Sequence, residues 1–224
     1  MGSRVMEWRE VDGVEWVEAK LPGATAVFTT CSAGSMKDDH WTLAEAVGIS
    51  AERIVSGRQV HGAELAFHDA PTAETPAVDG HVMTRPGPIG LVYTADCLPV
   101  AVAGPGGVAM LHCGWRGLAA EIVARGAEAV GATHAAIGPG IGPCCYEVGD
   151  EVLAEFAGLG DGIADGRMLD LTQVARRLLL QAGVETIEAE PICTRCEPEL
   201  FFSHRRDGTP YRQAGLAWLD GSGA

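Results

Sequence analysis

Lysine is nearly absent from this chain. Among its 224 residues 30 are acidic and 16 are basic, and the only lysines are Lys20 and Lys37. No Gly-Lys-Ser/Thr sequence occurs, which excludes the phosphate-binding loop of P-loop nucleotide hydrolases. The net charge of −14 repels the phosphate backbone of nucleic acids, so no nucleic-acid partner is expected.

Long uninterrupted hydrophobic runs are also missing. The longest apolar stretch, residues 91–113, contains Asp96, two prolines and a Gly-Pro-Gly-Gly turn. It therefore predicts short buried strands, and we expect no membrane-spanning segment. The first sixteen residues carry four acids and no apolar run, which predicts that they are not a signal peptide and favours a cytoplasmic location.

Disulfides are not expected, because seven cysteines are an odd number and no secretion signal is predicted. Cys193 and Cys196 have the C-x-x-C spacing of redox and zinc sites. They could form a second zinc site with Cys144 and Cys145, but we do not expect adjacent cysteines to face one tetrahedral ion. Cys113 is interpreted as a packed thiol.

The pattern of apolar residues favours an α+β fold in one layered domain covering residues 1–224. Strands are expected at 24–30, 53–60, 64–68, 80–84, 89–94, 98–103, 108–112, 185–190 and 213–219. Helices are expected at 116–130, at 151–157 after an Asp150 N-cap, and at 171–182 after an Asp170 N-cap. Strands and helices do not alternate strictly, so a doubly wound parallel sheet is not expected.

Three segments bring reactive side chains to predicted strand ends. They supply His61, Cys97 and His112, each close to a glycine or proline that ends its strand. Two imidazoles and a thiolate suit zinc, with copper also possible, and three protein ligands leave a position open, as in catalytic zinc sites. Spacing alone equally allows a buried cysteine and hydrogen-bonded core histidines without a metal.

Five motifs in a fixed order resemble the YfiH family, known variously as laccase-domain polyphenol oxidases and purine nucleoside phosphorylases. The motifs are Gln59–Gly62, Thr94–Cys97, His112–Gly117, Ile137–Gly149 and Phe202–Gly208. The resemblance implies a four-layer αββα sandwich and a zinc ion held by His61, Cys97 and His112. The chain departs from the family pattern at Cys31, where the family usually has arginine.

The resemblance also implies a zinc enzyme that acts on purine nucleosides and phosphate. The implied reactions are phosphorolysis of adenosine, inosine and methylthioadenosine, and deamination of adenosine, with the three ligands as catalytic residues. Arg116, His204 and Arg205 are the expected substrate-binding residues. Asp96 and His204 are both candidates to give a proton to the leaving ammonia.

Three other functions stay open. The same site could hold copper in a polyphenol oxidoreductase, although a four-electron oxidase needs several coppers. Cys97 could be the nucleophile of a cysteine hydrolase with His112 as its base. The chain could also be a non-catalytic quality-control protein for peptidoglycan precursors. The sequence does not indicate an oligomeric state.

Overall fold

Two six-stranded sheets make up most of the computed structural model, which describes residues 6–221. Residues 1–5 and 222–224, the two ends of the predicted 1–224 domain, lie outside the described residues. Residues 1–5 also belong to the segment that was predicted not to be a signal peptide. In chain order the strands are β1 (Met6–Val11), β2 (Val14–Leu21), β3 (Ala24–Thr29), β4 (Ile54–Val55), β5 (Leu65–His68), β6 (Gly80–Met83), β7 (Ile89–Thr94), β8 (Leu98–Gly104), β9 (Gly107–Cys113), β10 (His134–Ile137), β11 (Ala164–Asp165), β12 (Met168–Leu169), β13 (Thr186–Ala189) and β14 (Gln213–Leu219). The α-helices are α1 (Trp41–Val47), α2 (Trp115–Ala119), α3 (Ile122–Val130), α4 (Asp150–Glu155), α5 (Leu171–Gln181) and α6 (His204–Asp207), and short 3₁₀ helices span Cys31–Ala33, Ala51–Arg53 and Ala157–Leu159.

Both large sheets are mixed. The first has the strand order β1-β2-β3-β14-β7-β4 and the second the order β13-β10-β8-β9-β6-β5. Most pairs are antiparallel, but β4 with β7, β5 with β6 and β10 with β13 are parallel. Because β7 and β8 belong to different sheets, the turn between them passes from one sheet to the other.

Apolar side chains divide the molecule into four layers. One core lies between the sheets and includes Phe28, Val92 and Met110. A second core packs α2, α3, α4 and α5 on the outer face of the second sheet. A third, smaller core packs α1 on the outer face of the first sheet. This arrangement confirms the α+β class and the αββα sandwich in a single domain.

Most predicted strands are present with ends shifted by a residue or two, but the one at 53–60 is wrong beyond Val55. The side chain of Gln59 explains why the ladder stops. Its Nε2 donates to the Tyr93 carbonyl at 2.8 Å and its Oε1 accepts from the Tyr93 N–H at 2.7 Å. A side-chain amide thus replaces backbone pairing along β7, and the chain is free to turn towards His61.

The predicted helix at 116–130 is two helices. Glu121 has φ 67° between α2 and α3, a left-handed conformation that ends a right-handed helix. The Asp170 cap is confirmed, since its side chain accepts from the N–H of Gln173 at 2.9 Å. The Asp150 cap is wrong, because Gly149 is the N-cap of α4 and Asp150 is its first residue.

No helix within residues 6–221 combines the length and apolar character needed to cross a lipid bilayer.

Candidate metal centre and cavity

Two loops and the end of one strand bring His61, Cys97 and His112 together. His61 lies in the loop between β4 and β5, Cys97 lies in the turn between β7 and β8, and His112 is the next-to-last residue of β9. One nitrogen of each imidazole and the Cys97 Sγ lie within 4.8 Å of one another. The His61 and His112 rings meet edge to face, with centroids 4.9 Å apart.

A buried carboxylate orients two of these side chains. Asp79 is fully buried and accepts a hydrogen bond from His112 Nδ1 at 2.8 Å. The same carboxylate accepts the backbone N–H groups of Val60, His61 and Gly62 at 2.8–3.0 Å. Because Nδ1 is engaged, the Nε2 of His112 is the nitrogen available to a metal, as in carboxylate–histidine–metal sites.

Asp79 was not among the residues predicted for the site. The available signal was an acidic residue placed between Val78 and the apolar strand β6, where burial requires several partners.

The backbone is held in unusual conformations beside two of the ligands. His61 has φ 59° and Asp96, next to Cys97, has φ 93°, and a non-glycine residue in such a region costs about 1–3 kcal/mol. The Asp79 carboxylate compensates at His61. At Asp96, Oδ1 accepts from the Thr194 hydroxyl and Oδ2 from the Arg205 N–H, both at 2.7 Å.

The protonation of the cluster suits metal binding. Burial alone would raise the pKa of Cys97, but the charge and hydrogen bonds of His112 and His61 outweigh it and lower this pKa to about 6. Burial would lower the pKa of His112, but the Cys97 thiolate and Asp79 raise it to about 9. Both shifts favour a thiolate beside an imidazolium, and a bound cation would replace the proton of this pair as the partner of the thiolate.

The donor set fits zinc. Two imidazole nitrogens and one thiolate are ligands that zinc prefers, and three protein ligands leave a fourth position open. Gly114 provides space beside them, since a Cβ there would lie 3.0 Å from Cys97 Sγ and 3.3 Å from His61 Cδ2.

A cavity of about 550 Å³ opens over the three ligands, a volume suited to a small organic ligand. Two tyrosines, Tyr93 and Tyr146, form part of its wall. Its other polar lining includes five basic side chains, Lys37, Arg58, His204, Arg205 and Arg212. In a chain of net charge −14, the four lysine and arginine side chains of this lining favour an anionic ligand.

Comparisons with known proteins identify the relatives of this chain. A family described as multi-copper polyphenol oxidoreductase laccase matches residues 32–220. A purine nucleoside phosphorylase of Streptomyces coelicolor is 35% identical over 95% of this chain and 93% of its own length. The purine nucleoside phosphorylase YfiH of Escherichia coli K12 is 37% identical over 72% of each chain. The crystal structure of YlmD from Geobacillus stearothermophilus has a TM-score of 0.81 at 30% identity, over 97% of this chain and 99% of that one.

The chain belongs to the YfiH family. The family match begins next to Cys31 and ends just beyond β14, so it covers both sheets and all three predicted ligands.

Of the three substrate-binding residues predicted from the YfiH resemblance, two line the cavity. His204 and Arg205 open α6, and the Arg205 guanidinium lies 5.2 Å from the centroid of the Tyr146 ring and donates to the Glu147 carbonyl. Arg116 is exposed, and its guanidinium lies 4.4 Å from the centroid of the Trp115 ring, outside the cavity lining. Burial and the charge of Cys97 raise the pKa of Tyr146 to about 12, and the charge of Arg116 opposes this shift only weakly.

Sequence reasoning missed three cavity cations of this YfiH-family chain: Lys37, Arg58 and Arg212. Within the described residues, the side chains of Lys37 and Arg58 form no hydrogen bond or ion pair, so both are free to meet a ligand. Arg212 donates to the Thr209 carbonyl at 2.7 Å and to the Tyr211 carbonyl at 2.6 Å. The position of Arg58 within the first family motif was the available signal.

The glycine-rich segment 138–143 packs tightly and does not present a free row of amides. A Cβ at Gly138 would lie 2.4 Å from the Phe28 ring, and one at Gly140 would lie 2.5 Å from Leu98. The N–H of Gly138 donates to the Pro99 carbonyl and that of Ile141 to the Asp96 carbonyl. These glycines therefore serve close packing behind the cavity.

Proposed function

We propose that this chain is a zinc-dependent purine nucleoside enzyme that phosphorolyses adenosine, inosine and methylthioadenosine, deaminates adenosine, and works in the cytoplasm. The observation that carries the proposal is the convergence of His61, Cys97 and His112 beneath a cavity with a cationic rim. The names of its relatives, purine nucleoside phosphorylases, support the substrate class.

His61, Cys97 and His112 would hold the zinc ion. When bound, zinc supplies Lewis-acid chemistry, because it polarises substrate oxygens and lowers the pKa of water in its open position to about 7. The other residues of the site hold these ligands in position for the metal. Asp79 fixes the His112 ring and the loop of His61 through four hydrogen bonds.

In phosphorolysis, a phosphate oxygen bonds to C1′ of the ribose while the bond from C1′ to the purine nitrogen breaks. The electron pair of that bond leaves with the base, which takes up a proton, and ribose 1-phosphate is the second product. Lys37, Arg58 and Arg212, which line the cavity, would hold the phosphate dianion close to the positive charge that develops at C1′. Positioning and charge neutralisation would provide most of the rate.

In deamination, water adds to C6 of adenine and ammonia leaves after accepting a proton. Of the two proton donors considered from the sequence, His204 fits this role better. It is exposed to the cavity, whereas both oxygens of Asp96 already accept hydrogen bonds from Thr194 and Arg205. Asp96 is therefore a positioning residue that fixes α6 next to the ligands.

The direct test is product analysis of adenosine incubations with and without inorganic phosphate. Adenine and ribose 1-phosphate should form only with phosphate, and inosine should form in both. The His61→Ala variant should lose both reactions. Adenosine left unconverted by the metal-loaded protein, or converted equally well by His61→Ala, would contradict the proposal.

A cysteine hydrolase is the second candidate. Cys97 lies beside His112, and His112 lies beside Asp79, so the three could serve as nucleophile, base and orienting acid. The hydrogen bond from His112 Nδ1 to Asp79 at 2.8 Å and the lowered pKa of Cys97 are also what such a triad needs. His61 lies close to the same Cys97 thiol. A catalytic triad needs only one imidazole beside its thiol, so this second imidazole favours the metal centre.

A copper polyphenol oxidoreductase is the third candidate, supported by the family description and by the imidazole and thiolate donors. The other cluster of possible metal ligands within residues 6–221 consists of four cysteines. That set lacks the imidazoles that Cu(II) prefers. Oxidation of a phenol that depends on oxygen and on added copper would favour this candidate over the nucleoside enzyme.

A further inference from the structure

Four cysteine sulfurs converge away from the cavity ligands. Cys144 and Cys145 follow β10, Cys193 and Cys196 follow β13, and these two strands pair in parallel. The loops after them therefore leave the same edge of the sheet. All four Sγ atoms lie within 4.8 Å of one another, although adjacent cysteines were not expected to face one tetrahedral ion.

The spacing of the sulfurs matches a tetrahedral metal site. Cys196 Sγ lies 3.6 Å from Cys144 Sγ and 3.5 Å from Cys145 Sγ. Zinc–sulfur bonds of about 2.3 Å in a tetrahedron place the sulfurs about 3.8 Å apart, whereas a disulfide requires about 2.05 Å. The four thiols are free, at a separation that one ion could bridge.

The backbone around Cys193 is arranged to receive a thiolate. The N–H of Gly142 donates to Cys193 Sγ at 3.2 Å. The backbone N–H groups of Arg195 and Cys196, two and three residues further along the C-x-x-C turn, also hydrogen-bond to this sulfur. Hydrogen bonds of this kind stabilise the thiolate form that a metal ion binds.

The two loops are also joined independently of any metal. Gly140 and Cys193 form an isolated parallel bridge, and the Thr194 N–H donates to the Gly140 carbonyl at 3.0 Å. Gly142 lets the loops approach, because a Cβ there would lie 3.1 Å from Cys193 Cβ and 3.4 Å from Cys144 Sγ. The cluster is therefore pre-formed by the fold.

We propose that Cys144, Cys145, Cys193 and Cys196 bind a second, structural zinc ion. Four thiolates close the coordination sphere of a tetrahedral ion and leave no position for substrate. Cys144 and Cys196 are exposed, so the ion can enter from solvent.

This zinc would fix one wall of the cavity from behind. Ile141 and Tyr146 flank the first cysteine pair and line the cavity. Thr194, inside the second pair, donates to Asp96 beside Cys97. The ion would thus clamp together two loops that both end at the candidate metal centre.

The test is the zinc content of protein purified under reducing conditions without added metal. We expect about two equivalents per chain, about one in His61→Ala and about one in the double variant Cys193→Ser, Cys196→Ser. Cys31→Ser is the matched control and should keep both, because the Cys31 thiol donates to the Glu199 carbonyl outside either cluster. Wild type and the double variant with equal zinc would overturn the proposal.

Cobalt substitution identifies the ligands without relying on the folding of the double variant. His61→Ala keeps all four cluster cysteines, so its cobalt form should show the intense thiolate-to-metal absorption of a tetrahedral thiolate site. A cobalt form of His61→Ala without that absorption, a native disulfide within the cluster, or iron in place of zinc would each overturn the proposal. Wild-type protein that held only the cluster zinc would contradict the zinc-dependent nucleoside function and not this proposal, so the two failures are distinguishable.

Discussion

The carboxylate of Asp79 connects the parts of the metal centre at the scale of single residues. It is fully buried, and its four hydrogen bonds reach both the His112 ring and the loop that carries His61. A buried carboxylate is costly unless it accepts hydrogen bonds. Asp79 therefore fixes the positions of His61 and His112, and the hydrogen bonds that it accepts from them stabilise its own burial.

Asp79→Asn should therefore weaken zinc binding at His61, Cys97 and His112 by about 10–100-fold, as for other groups that orient a ligating histidine. The neutral amide no longer favours the correct nitrogen of His112. Competition with a chelator measures the affinity. The exposed Asp69→Asn is the control, and an Asp79→Asn variant with the control's affinity would show that Asp79 does not orient the ligand.

Cys97 separates the two leading functions by its reactivity. As a zinc ligand, its thiolate should resist iodoacetamide in the metal-loaded protein and react after the metal is removed by a chelator. Activity should follow the metal. Mass spectrometry of the labelled peptides locates the modification, with the buried Cys113 as an internal reference. Fast labelling of Cys97 in loaded, active protein would favour the cysteine hydrolase.

At the scale of elements, strand ends and the loops after strands carry the candidate metal ligands. The sequence predicted the three ligands because each followed an apolar run that ends at a glycine or proline, and the family motifs assigned them to one ion. It did not predict that Arg116 would lie over Trp115, because spacing along the chain does not set the direction in which a side chain at a helix start points. The convergence of the four cysteines depended in the same way on the parallel pairing of β10 and β13, which spacing does not reveal.

Arg58, in the loop between β4 and β5, and Arg116, in α2, are expected to differ in their effect on phosphate binding. Arg58 lines the cavity with a free side chain, whereas Arg116 lies outside the lining. Arg58→Ala should reduce phosphorolysis by about tenfold or more, because a charge-assisted contact of about 1.5–3 kcal/mol is lost, and should reduce deamination less. Arg116→Ala is the paired variant, to be compared by kcat/KM for phosphate. A larger phosphate-specific loss in Arg116→Ala would restore the role predicted from the sequence.

At the scale of the whole molecule, burial within the layered fold keeps a histidine side chain in its neutral form. His68 Nε2 and His81 Nδ1 lie 3.0 Å apart in buried positions, and His81 Nε2 has no hydrogen-bond partner among the described residues. Burial, followed by the charge of His68, lowers the pKa of His81 from 6.5 to about 3. The folded chain therefore keeps His81 neutral where the unfolded chain protonates it.

This difference predicts the pH dependence of stability. Above pH 6.5 His81 is neutral in both states and has no effect. Between pH 6.5 and about 3 only the unfolded state binds the proton, so the free energy of unfolding should fall by about 1.4 kcal/mol per pH unit from this residue. Urea unfolding at pH 7, 6 and 5 measures it, with His81→Asn as the comparison. Parallel slopes for wild type and variant would show that His81 is not the group responsible.

The central claim is that the metal held by His61, Cys97 and His112 is required for conversion of purine nucleosides. The most direct measurement is activity during zinc reconstitution of the wild-type protein, with His61→Ala, which keeps all four cluster cysteines, as the paired variant. The stripped wild type should form neither adenine nor inosine from adenosine with phosphate, and both activities should return as zinc binds to the wild type but not to His61→Ala. Full activity in the stripped protein, or zinc uptake without any return of activity, would contradict the account.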